Sequence, residues 1–137
     1  MSITRHEVRI LAFQTLFALN SNPEADPSEI YTQLIEETST QPKIPAYLEQ
    51  LVSGVSNNRV EIDEVIAQYL KKNWAINRLN KTDLLILRLA VYEIKWMPET
   101  PDKVALDEAL QLAKEFSDDK SRRFINGVLS NLVEKNN

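Results

Sequence analysis

The residues most open to a chemical reading lie near the C-terminus: Lys120, Arg122, Arg123 and Phe124 in SRRFINGVL, followed by Gly127. Cations bordering an aromatic ring can neutralise phosphates while the ring stacks on a base, which is how single-stranded nucleic acid is held. At about 100° per residue, Lys120, Arg123, Phe124 and Gly127 fall together, beside a core face of Ile125, Val128, Leu129 and Leu132. The same residues also fit an ordinary helix start, with solvated cations, Phe124 completing the core and Gly127 admitting a neighbouring helix. Cations at a helix N-terminus oppose the macrodipole, so local helix stability gives no reason for them.

Two further sets of cations are candidates. Arg5, His6 and Arg9 make a small basic patch at the N-terminus, which reads either as a site or as a frayed, solvated end. Lys81, Arg88 and Lys95 repeat every seven residues along the otherwise apolar LLILRLAVYEIKWM and share one stripe. An unpaired buried arginine is costly, so this stripe must meet either acidic partners or phosphates. Glu61, Asp63 and Glu64 read as solvent-facing, and Trp74 and Trp96 as core or rim. With no cysteine, one histidine and two separated glycines, the chain offers no thiolate or imidazole metal site, no histidine triad beyond a lone base and no glycine-rich phosphate loop. No catalytic residue, metal or cofactor is expected.

The elements that must position these residues read as all-α. A chain of 137 residues with 43% hydrophobic and 26% charged residues is long enough for one domain, or for two small helical subdomains sharing a core. Net charge is −4, but it is segregated: residues 21–70 carry −7 and residues 71–96 carry +4. A local positive face is therefore compatible with an acidic protein. The spacing predicts a helix over 4–20 with two apolar sectors, one of Val8, Leu11, Ala12, Leu16 and Leu19, the other of Ile10, Phe13 and Phe17. Such a helix is either central to the fold or presents one sector to a partner. Ser28 reads as a helix cap, 39–45 as a loop, and 46–72 as one long helix running through Gly54, which serves close packing. Asn80 with Asp83 resembles a capping box for the central helix. Thr100 reads as the next N-cap with Pro101 in the first turn, Asp118 caps the last helix, and the terminal EKNN reads as frayed. No apolar run suggests a signal peptide or membrane span, and a cytoplasmic protein is expected.

Taken in order, RHEVRILAFQTLFAL, LRLAVYEI, KVALDEALQLAKEF and SRRFINGVL resemble the NusB family of bacterial transcription antitermination factors over essentially the whole chain. The resemblance implies two three-helix bundles in one domain, about 1–72 and about 73–137. It implies binding of the boxA segment of ribosomal RNA operon transcripts, jointly with the ribosomal protein NusE, within an RNA polymerase antitermination complex. By motif, the RNA surface would be Arg5, His6, Arg9, Arg88, Lys120, Arg122, Arg123 and Phe124; the partner surface would be Phe13, Phe17 and Asp83. Glu7 interrupts the denser N-terminal arginine run of familiar members, which implies weaker RNA contacts there. Two other readings are an RNA-binding module of a ribosomal-RNA methyltransferase, against which stand the missing βα cofactor pattern and cysteine, and a purely structural helical scaffold.

Overall fold

Almost every side chain of LLILRLAVYEI is apolar, and a helix that is apolar all round must be enclosed by others. In the computed structural model, which describes residues 3–38, 43–72 and 74–136, that helix is the centre of the molecule. The helices are α1 (Arg5–Ser21), α2 (Pro27–Thr38), α3 (Ala46–Asn57), α4 (Arg59–Gln68), α5 (Lys81–Trp96), α6 (Asp102–Phe116) and α7 (Asp119–Asn136), with a 3-10 turn at Ile76–Arg78 before α5. Among the described residues there is no strand. Helix α5 touches α1, α3 and α4 from the first half of the chain and α6 and α7 from the second. Helices α1–α3 form one three-helix group and α5–α7 another, and a single hydrophobic core runs through both. The buried alanines of α6, Ala105, Ala109 and Ala113, let the backbones of α5 and α7 approach closely.

Several local expectations hold for physical reasons visible in the hydrogen bonds. Asn80 Oδ1 accepts from the Asp83 N–H at 2.8 Å, and Asp118 Oδ1 accepts from the Ser121 N–H at 2.8 Å, so both side chains cap the helices that follow them. Gly54 is buried, and a Cβ built there would collide with the phenol end of the Tyr92 ring. Others need correction. The helix expected over 46–72 breaks at Asn58, whose amide N–H and side-chain Nδ2 both donate to the Gly54 carbonyl. That side-chain bond competes with the helical ladder, and α4 restarts one residue later. Asp26, not Ser28, caps α2, accepting from both the Ser28 N–H and its hydroxyl, with Pro27 in the first turn. Thr100 does not cap α6: its N–H donates to the Met97 carbonyl, its hydroxyl is buried without a partner among the described residues, and Pro101 stands at the cap. The EKNN end is helical through Asn136, whose side chain accepts from Lys95 Nζ and donates to Asp102. Of the loop expected over 39–45, residues 39–42 lie outside the described residues.

Candidate nucleic-acid interface

The core fixes the orientation of α7. Ile125, Val128, Leu129 and Leu132 are buried, and this turns Lys120, Arg123, Phe124 and Gly127 to one wall of an open cleft of about 500 Å³. Tyr69, Lys71 and Trp74, from the segment after α4, line the same cleft. Phe124 is half-buried against the core and lies 6.4 Å from the Trp74 ring, centroid to centroid. Trp74 is 54% exposed, so the core or rim expected for it is not what it occupies. Lys71, Lys120 and Arg123 take part in no ion pair among the described residues. The cleft thus offers free cations and two accessible rings, the combination that holds a nucleic-acid strand by phosphate and base together. Arg122 is exposed on the same helix but does not line the cleft.

The N-terminal cations are used differently. Arg9 is 3% exposed and donates from Nε and Nη2 to the carboxylate of Glu93, with bonds of 3.0–3.2 Å. The Tyr47 hydroxyl donates to the same carboxylate. Burial pulls the Arg9 pKa down, but Glu93 outweighs it and the guanidinium stays charged; burial and then Glu93 push the Tyr47 phenol up. Arg9 is therefore a structural residue and cannot reach RNA as expected. His6 lies between Glu108, 2.6 Å from Nδ1, and Glu115, 3.0 Å from Nε2. Only Arg5 is exposed, its guanidinium 4.7 Å from the centre of the Tyr47 ring. Even with His6 protonated, Arg5, His6 and Arg9 are balanced by Glu93, Glu108 and Glu115, so this end carries no net positive charge. Glu7 is not a mere interruption: its side chain accepts from the Thr4 N–H while Thr4 Oγ1 accepts from the Glu7 N–H, a reciprocal cap for α1.

The setting of His6 raises its pKa above the usual 6.5, the hydrogen bond to Glu108 being the largest cause and burial opposing it. A raised histidine pKa contributes stability that is complete below the unfolded value and is lost as pH climbs through the folded value. An NMR titration of the imidazole should give a midpoint above 6.5. In His6→Gln the fall in stability from pH 6.5 upward should flatten; a wild-type midpoint at or below 6.5 would contradict the two-carboxylate setting.

Arg88 resolves the alternative left open for the basic stripe: it meets an acidic partner. Its Nε and Nη2 donate to the two oxygens of Asp63 at 2.8 and 2.9 Å, so Asp63 does not simply face solvent. Arg88 lines a second cleft, with Arg59 and the end of α1, separate from the one at Phe124. Lys81 is exposed and Lys95 reaches Asn136. The structure therefore divides the expected RNA residues among three places. It brings only Lys120, Arg123 and Phe124 into one cleft.

The expected partner residues also separate. Phe17 is 39% exposed, as is Phe116 at 36%, but Phe13 lies buried beneath them, 6.1 Å from Phe17 and 4.8 Å from Phe116. Phe13 supports an apolar surface without forming it. Asp83 is only 6% exposed; its Oδ2 accepts from Asn80 Nδ2 and from the Ser121 hydroxyl, tying the starts of α5 and α7 together. Burial pushes its pKa up. Its carboxylate positions the helix that bears Phe124, and the residue borders a further open cleft with Trp74, Lys120 and Phe124. Sequence reasoning missed Lys71, Tyr69 and Trp74 at the cleft and Phe116 at the apolar surface. No periodicity links residues on different helices, and only Trp74, an aromatic in the polar stretch NWAINRLN, gave any signal.

The chain and its fold resemble those of known proteins. The transcription antitermination protein NusB of Ligilactobacillus salivarius is 53% identical over 133 residues, covering 97% of this chain and all of that one. A structure of T. maritima NusB superposes with a TM-score of 0.85 at 30% identity, over 98% of this chain and 94% of that one. A structure of the antitermination factors NusB and NusE in complex with double-stranded RNA matches with a TM-score of 0.81 at 27% identity, over 97% and 99%. The model of the NusB family matches residues 6–134; the chain belongs to the NusB family.

Proposed function

We propose that this protein is a transcription antitermination factor, acting by binding and not by catalysis, that holds single-stranded boxA RNA of ribosomal RNA operon transcripts jointly with NusE in an RNA polymerase antitermination complex. The observation that carries this reading is the α7 cleft, where Lys120 and Arg123 flank Phe124. Exposed rings engage unpaired bases, because a base inside a duplex has its faces covered by its neighbours. The exposed rings of Phe17 and Phe116 supply an apolar surface suited to NusE. A related assembly of NusB, NusE and double-stranded RNA supports the partnership. Among the described residues no helix is long and apolar enough to cross a membrane, and a cytoplasmic location accords with work on nascent transcripts.

Phe124→Ala should weaken binding of a single-stranded boxA oligonucleotide by roughly 5- to 150-fold, the equivalent of one lost base stack, with helical content unchanged by circular dichroism. If Lys71, Lys120 and Arg123 each neutralise one phosphate, the logarithmic salt slope should be about −2. Gel shifts with and without NusE measure the joint contribution. Equal affinity for boxA and for a duplex of the same sequence, or an affinity insensitive to both salt and Phe124→Ala, would sink this assignment.

A further inference from the structure

Two residues of the cleft are poorly explained by the fold. Gly127 sits in the middle of α7, where glycine lowers helix stability by about 1 kcal/mol relative to alanine. Close packing does not call for it, because a Cβ built there meets no atom within 4 Å. The helix approach expected for Gly127 is absent among the described residues. Trp74, for its part, leaves more than half of a large ring in water, although such rings are mostly buried. Both line the same cleft, and the Trp74 ring lies beside Phe124, one helical turn from Gly127.

We infer that Trp74 and Gly127 form a slot for one unpaired base of the bound RNA, which stacks on the open face of Trp74 and occupies the space that a side chain at position 127 would fill. This rests on the RNA-binding reading of the cleft and adds a base subsite to it beyond Phe124. The occupant is a nucleobase because an exposed indole and a stretch of helix without a side chain line one cleft, with Lys71, Lys120 and Arg123 in the same lining for the adjoining phosphates. A cavity of about 500 Å³ falls within the ~300–1,000 Å³ of small-ligand sites, and stacking on an indole requires no particular base. Trp74 and Phe124 then act as neighbouring platforms, which lets an extended strand lay successive bases across the cleft.

The test uses the full chain and a single-stranded boxA oligonucleotide. In a Trp96→Phe background Trp74 is the sole tryptophan, and its emission should be quenched as RNA is added. Trp74→Ala should weaken binding by roughly 5- to 150-fold. Gly127→Leu should weaken it at least as much while leaving thermal unfolding no lower than wild type, since its side chain enters open space. An abasic site moved along the oligonucleotide should find one position at which Trp74→Ala brings no further loss. If Phe124→Ala weakens binding while Trp74→Ala and Gly127→Leu do not, and the emission is unmoved, the slot is wrong and the RNA-binding reading stands. If the wild type fails to bind the oligonucleotide with and without NusE, both fall. If Trp74→Ala and Gly127→Leu weaken binding and Phe124→Ala does not, the slot stands and Phe124 loses its role.

Discussion

Glu93→Ala should lower the free energy of unfolding by about 3–5 kcal/mol, the scale for removing one partner of a buried ion pair. The variant leaves the Arg9 guanidinium 3% exposed and without the carboxylate that accepts three of its hydrogen-bonding contacts. Only Glu108, 3.8 Å from Nη1, remains near it. The half-buried Tyr47 hydroxyl loses its acceptor as well, which adds a smaller desolvation penalty. A urea titration by circular dichroism measures the change. Replacing the pair together, as Arg9→Met with Glu93→Leu, should be much less damaging, because neither charge is then left alone. A loss below about 1 kcal/mol in Glu93→Ala would mean that water reaches Arg9, against its burial. The result bears on function too: weak RNA binding in an Arg9 variant should track lost folding, and should recover under conditions that keep the variant native.

That pair also marks the limit of reading this chain from its sequence. Arg9 and Glu93 are 84 residues apart, and helical periodicity assigns charged residues to the solvent by default. Nothing within α1 distinguishes Arg9, which is buried, from Arg5, which is not. The same limit separates Arg88 from Asp63, 25 residues away, and hid the fact that each cation has its own carboxylate. Relations within one helix were legible. Lys120, Arg123, Phe124 and Gly127 do share a face, because 100° per residue fixes their directions once the core face is known. The all-α architecture and the central role of α5 followed from composition and apolar periodicity for the same reason. The other lining residues Lys71 and Trp74 come from the segment between α4 and α5, whose path depends on tertiary packing. Glu7 is a different case: Thr4-x-x-Glu7 is a capping pattern legible within one helical turn.

The two glycines should respond to the same substitution with opposite signs. Gly54→Ala should destabilise the protein by about 1–3 kcal/mol, the range for overpacking a core, even after the gain of about 1 kcal/mol in helix propensity. Its new methyl group collides with the phenol end of Tyr92, which is buried and stacked on Trp96 at 6.1 Å and 10°, so the ring has little room to swing aside. Tyr92→Leu should be less than additive with Gly54→Ala, since both act on the same contact. Gly127→Ala should instead stabilise by about 1 kcal/mol, because its methyl group meets nothing within 4 Å. Thermal unfolding of the two single variants decides the matter, and a loss of stability in Gly127→Ala would mean that the helix itself requires glycine there. The opposite signs separate two reasons for a glycine in a helix. At position 54 the neighbour is part of the chain, and the fold alone accounts for the residue. At position 127 no neighbour within the chain calls for glycine, which is what the base slot proposed for the cleft requires.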